Sequence, residues 1–201
     1  MDTPRQSTNS RLPSFGREGG IFVPVLSPSK TLFLKLSAKN INSPPSVGPV
    51  LLSALGDGDS VEAVFSALKA ASLSGSTKQL ELVQVFDSDH CCEITHPLSI
   101  TGDSLGLGAY FALMLEHFFE LEQFDSVVVS GAITEKSDVF FARRVAGITE
   151  KISSSMDGLP GRKAVIVPLE NAEEIQMSVL SEFTCWAVEG DLLKRCLVPT
   201  N

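Results

Sequence analysis

No run of about eighteen apolar residues interrupts this 201-residue chain, so no transmembrane helix is expected. Dense clusters of lysine and arginine are missing too, and the net charge is −8. That balance argues against a nucleic-acid surface or an anionic-membrane surface. The first residues lack the apolar core of a secretory signal, and a cytoplasmic setting is the expectation. Cysteine is scarce: Cys91, Cys92, Cys185 and Cys196 are too few for a disulfide scaffold. Cys91 and Cys92 are adjacent, a spacing that does not suit one tetrahedral zinc site. His90, Cys91, Cys92 and His96 fall in an extended segment whose alternation sends them to opposite faces, so no metal site is expected. Gly75-Ser76-Thr77-Lys78 lacks the G-x-x-x-x-G-K-[ST] frame of a phosphate loop, and no cofactor is implied.

What is present is ordinary for a globular protein, with 43% apolar and 20% charged residues. The length suits one domain with a sizeable core. Residues 1–19 are polar and rich in Ser, Thr, Arg, Pro and Gly, and read as a disordered leader. From residue 20 the pattern reads as a hairpin (21–26 and 31–36) and a loop over 40–49. A helix over 59–71 follows, capped by Asp59 or Ser60, with Val61, Val64, Phe65, Leu68 and Ala71 on one face. Strands are expected over 79–86 and 92–100, and a five-turn helix over 105–124. The second half alternates: buried strand 126–133, helix 139–154, turn 156–161, buried strand 163–168, helix 172–179, strand 183–188 and helix 190–197. The expected class is α+β, a β-rich first half followed by an α/β-like second half.

Ser104 sits at the centre of Gly102-Asp103-Ser104-Leu105-Gly106, between an extended stretch and an apolar helix pattern. G-x-S-x-G is the nucleophile-elbow pattern, whose triad needs a histidine downstream. Only His117 follows Ser104, and at about 1.5 Å per residue it would lie roughly 20 Å along the same predicted helix. A histidine triad therefore cannot assemble on this pattern. A lysine is the better base, and the downstream lysines are Lys136, Lys151, Lys163 and Lys194. The plain alternative is that Ser104 caps a helix.

Further motifs lie downstream. Val127 to Thr134 reads V-V-V-S-G-A-I-T, Ala146 to Lys151 reads A-G-I-T-E-K, and Gly161 to Asn171 reads G-R-K-A-V-I-V-P-L-E-N. In that order, and preceded by Thr101-Gly102-Asp103-Ser104-Leu105-Gly106, they resemble the proteolytic domain of Lon proteases. The resemblance covers residues 100–175 and extends back towards residue 20. It implies a single Lon-type serine peptidase domain with a Ser-Lys dyad. The family serine falls on Ser104 and the family lysine on Lys151. Ser130 falls where the family has a threonine near the lysine. Asp103 stands in place of the family proline, Thr101 of the aspartate, Leu105 of the alanine and Ala146 of the first glycine. The ATPase module that accompanies such domains has no counterpart among these motifs. The resemblance thus implies a polypeptide substrate, with either self-association or a separate unfoldase partner.

The chemistry is coherent on its own terms. A serine hydroxyl is a weak nucleophile until a neighbour accepts its proton. A lysine can do so only when neutral, which requires burial in apolar surroundings. Phe140, Phe141, Val145, Ile148 and Val127–Val129 are candidate walls. Backbone N–H groups at the start of the helix after Ser104 could hold an oxyanion, with Gly102, Asp103, Leu105 and Gly106 as the supporting segment. Two other readings stay open: a non-catalytic interaction module on the same fold, and a serine-dependent esterase built on G-x-S-x-G alone.

Overall fold

The computed structural model describes residues 21–26, 31–87, 98–159, 161–175, 183–194 and 196–200. Residues 1–19, His90, Cys91, Cys92 and His96 lie outside them, as does most of the strand expected over 92–100. The architecture is α+β, and one contiguous hydrophobic cluster runs through it.

The described residues form the strands β1 (Ile21–Leu26), β2 (Thr31–Asn40), β3 (Ser46–Val47), β4 (Lys78–Asp87), β5 (Ser126–Val129), β6 (Ala132–Lys136), β7 (Val139–Arg143), β8 (Lys163–Pro168), β9 (Thr184–Val188) and β10 (Leu197–Pro199). Eight form one sheet in the order β10-β9-β8-β5-β1-β2-β4-β3, and β6 with β7 forms a separate hairpin. The middle of the large sheet, β9-β8-β5-β1, is parallel. Its strands β5 and β8 are apolar almost throughout, as sheets covered on both faces require. The helices are α1 (Pro49–Ala54), α2 (Gly58–Leu73), α3 (Leu105–Met114), α4 (Ile148–Gly158) and α5 (Leu169–Ala172).

Helix α3 positions the site. Every one of its residues is buried, because it runs between α2 and strands β1, β2 and β4. A helix apolar all round has no solvent face to offer. Close approach on both sides explains its glycines. A Cβ on Gly106 would sit 3.2 Å from the Ala63 carbonyl oxygen of α2, and one on Gly108 would collide with Val23 of β1.

Several expected elements differ, each for an identifiable reason. The helix over 105–124 ends at Met114 and continues as short 3₁₀ turns at Leu115–His117 and Phe119–Leu121. The break lets Phe118 fold back onto Phe111, ring centroids 4.6 Å apart, while Phe119 stays exposed. The helix over 139–154 is instead strand β7, then a turn, then α4 from Ile148. Ser137 and Asp138 both take positive φ between β6 and β7, the two-residue hairpin geometry usually signalled by Asn-Gly. The strand over 126–133 splits at Ser130–Gly131 between the large sheet and the hairpin. Asp57, not Asp59 or Ser60, caps α2, and Ser60 completes the capping box. Phe65 faces solvent and Ala63, Ala67 and Ala70 face inward, because α2 packs too closely on α3 for a large ring. The terminal helix over 190–197 is a turn leading into β10.

Candidate active site

The parallel strands β1, β5 and β8 run in one direction, and the crevice beyond their carboxyl ends is where open sheets of this kind hold ligands. Here Val25, near the end of β1, meets the turn before α3 and the loop before α4. Together, Val25, Thr101, Gly102, Asp103, Ser104, Val145, Ala146 and Lys151 line a cleft of about 210 Å³. The turn is tied to the sheet: the Gly131 N–H donates to the Ser104 carbonyl at 3.2 Å, and the Leu107 N–H donates to the Gly131 carbonyl at 3.0 Å. The split of the expected strand at Ser130–Gly131 is thus what places Ser104.

Ser104 precedes α3 with helical backbone angles, and its side chain makes no capping bond. Its hydroxyl is not committed to the helix end, unlike that of an ordinary N-cap serine. The residue is 8% exposed. Gly102 has φ +81°, a conformation that favours glycine, and turns the chain into the serine. The Gly102 N–H is engaged by the Asp57 carboxylate, and the Gly106 N–H by the Asp103 carbonyl at 3.1 Å. Among the described residues the N–H groups of Asp103, Ser104 and Leu105 have no hydrogen-bond partner, so oxyanion donors are available along this segment. Leu105 contributes backbone only, since its side chain is buried in the core. Gly106, expected as part of the supporting segment, has its N–H engaged and serves packing against α2.

Among the described residues, Lys151 is the only lysine lining this cleft. Lys136 lines a separate groove beside the β6–β7 hairpin, Lys194 lines a cavity with Tyr110 and Leu192, and Lys163 begins β8 opposite Ser126 at the other end of the sheet. His117 also belongs to the Tyr110 cavity. Lys151 is 6% exposed, on the first turn of α4. Its side chain makes no hydrogen bond or ion pair among the described residues. Burial pushes its amine below the ordinary value, and the carboxylates of Asp103 and Glu150 oppose that shift. Asp103 is itself ion-paired with Arg143 of β7.

The walls are smaller than the sequence suggested. Val25, Val145 and Ala146 form them, whereas Phe140 and Val127–Val129 are core residues that do not reach the cleft. Val145 is fixed by a residue the sequence reading carried only as part of a motif. The fully buried Asn171 accepts from the Val145 N–H at 2.9 Å and donates to the Val145 carbonyl at 3.0 Å. Replacing Asn171 with alanine strands both backbone groups, and we expect a loss of about 2–4 kcal/mol, read as a lowered thermal midpoint. Ser130 follows β5 and is fully buried but does not line the cleft. Its N–H donates to Ile166, and its Oγ has no partner among the described residues. Cys185 and Cys196 are buried free thiols; burial raises both, Cys196 to about 11, so neither is a nucleophile at neutral pH. The described residues include no cluster of three metal-ligating side chains and no helix long and apolar enough to cross a membrane.

Comparison of the chain with models of known protein families gives no match, and comparison with curated proteins gives none either.

Proposed function

We propose that the chain is a serine endopeptidase of Lon-like type, with Ser104 as nucleophile and Lys151 as general base. One observation carries this reading: a buried lysine that makes no ion pair among the described residues shares a small cleft with a serine whose hydroxyl is free of the helix end. Neutral Lys151 Nζ takes the Ser104 proton as Oγ bonds to the scissile carbonyl carbon. The oxyanion is held by N–H groups along the segment 103–105. On collapse the carbon–nitrogen bond breaks, and the Lys151 ammonium gives its proton to the leaving amine. Water then gives a proton to Lys151 and attacks the ester. The proton returns to Ser104 Oγ as the acid product leaves. The resemblance implies that Ser130 supports the lysine, although the two side chains make no hydrogen bond in this structure. No nucleotide is needed for these steps, so hydrolysis of unstructured polypeptide is ATP-independent. Folded substrates require a separate unfoldase or an assembly of the chain. The setting proposed is cytoplasmic.

A second reading has its own support. Asp103 lines the cleft and favours the charged lysine, which suits a non-catalytic interaction module. A fluorogenic unstructured peptide separates the two. The peptidase reading expects turnover that disappears in Ser104→Ala. Absent turnover, or turnover unchanged in that variant, favours the other.

A further inference from the structure

Asp57 lies far from Ser104 in sequence and does not line the cleft, yet its carboxylate joins two structures. Oδ1 accepts the Ser60 N–H at 2.8 Å and so caps α2. The same group accepts the Gly102 N–H, at 3.0 Å through Oδ2 and 3.3 Å through Oδ1. Both contacts are charge-assisted, the stronger class of hydrogen bond. Gly102 is the residue whose positive φ turns the chain into Ser104. With no side chain of its own and, beyond its chain neighbours, no atom of the described residues within 4 Å of where a Cβ would sit, it gains little from packing. Downstream, the turn is held by the paired bonds between Ser104, Leu107 and Gly131. Upstream, the next backbone contacts are those of Ile100 with Ala54 and Gly56. Asp57 is therefore the anchor closest to Ser104 on its upstream side.

We propose that Asp57 is a positioning residue for the Ser104 site, fixing the nucleophile turn by holding the Gly102 amide from the capped end of α2. The inference rests on the peptidase reading above. It also accounts for a carboxylate doing more than a cap needs, since Ser, Thr or Asn would cap α2 equally well. A serine at position 57 can still reach the α2 amides but is too short to span to Gly102.

That difference gives the test. Three variants are compared with wild type for thermal midpoint, kcat and KM on an unstructured peptide: Asp57→Ser, Ser60→Ala and Lys151→Ala. Asp57→Ser keeps the cap and loses the anchor, so kcat should fall at least tenfold with KM within about twofold and the thermal midpoint near wild type. Ser60→Ala weakens the capping box without touching Gly102, so its midpoint should fall and its kcat should hold. The Gly102 amide, followed by hydrogen exchange, should exchange at least tenfold faster in Asp57→Ser only. Wild-type kcat and slow Gly102 exchange in Asp57→Ser, with Lys151→Ala inactive, would overturn the positioning role and leave the peptidase reading standing. Wild-type turnover in Lys151→Ala, or no turnover in wild type, would overturn both. Equal kcat losses in Asp57→Ser and Ser60→Ala, tracking stability, would reduce Asp57 to a cap.

Discussion

Replacing Lys151 with alanine or methionine should reduce peptide hydrolysis by about a hundredfold to ten-thousandfold, the range contributed by a positioned general base. The fold should survive. The amine is buried, lacks an ion-pair partner among the described residues, and is held below its ordinary value by burial. Such a group costs the folded state free energy rather than supplying it. Methionine has nearly the same length and no charge to desolvate, so Lys151→Met should melt at or above the wild-type temperature. Circular dichroism, a thermal melt and a fluorogenic peptide assay on one preparation check both parts. A variant that melts like wild type and keeps activity within a few-fold would remove Lys151 from the mechanism.

The second large effect is on pH dependence. Only neutral Lys151 can accept a proton, so turnover should rise with pH along a limb set by the amine, below its ordinary 10.5. Two carboxylates bear on that limb, Asp103 and Glu150, which raise it, and the first is paired with Arg143, whose removal would leave its charge uncompensated. Asp103→Asn should move the limb to lower pH, and Arg143→Ala should move it higher. Asp103 and Arg143 are each about half exposed, so both displacements should shrink as salt is added. Stability follows with the same sign. Because the folded-state value is depressed, the unfolded chain binds more protons between that value and 10.5. The penalty of burying a charged amine is thus complete below the folded-state value and is relieved as pH rises through it. Lys151→Met should abolish this alkaline gain. A rate profile that falls above neutrality, with the protein still folded, would count against a lysine base.

The motif around Ser104 and the segment ending in Lys151 are legible in sequence because both are local, and the structure brings them to one cleft. The buried strand 163–168 and the first part of the one expected over 126–133 are legible for the same reason: a short apolar run has few alternatives. What could not be read was decided by contacts between distant residues. Phe140 and Val145 fall in the stretch expected as a helix over 139–154, yet the Ser137–Asp138 turn makes the first a strand residue, and Asn171 fixes the second in a loop. No spacing rule predicts that an asparagine at 171 will bind the backbone at 145. Asp57 is hidden likewise. As a helix cap it has a local signature, but its bond to Gly102 exists only once α2 and the nucleophile turn are neighbours. Gly106 falls in the segment expected to support an oxyanion, and its bareness is room for α2. Of the small walls of the cleft, Val25 comes from a segment that carries no catalytic pattern, and Ala146 opens the segment that ends in Lys151.

The central claim is that Ser104 is activated by a neutral Lys151, and covalent labelling with a fluorophosphonate tests it most directly. Intact-mass and peptide mass spectrometry would follow the adduct on wild type, Ser104→Ala and Lys151→Ala across a pH series. The account predicts a single adduct on Ser104, formed faster as pH rises, lost in Ser104→Ala and slowed at least a hundredfold in Lys151→Ala. An adduct on another residue, or labelling of Ser104 at the same rate with and without Lys151, would contradict it.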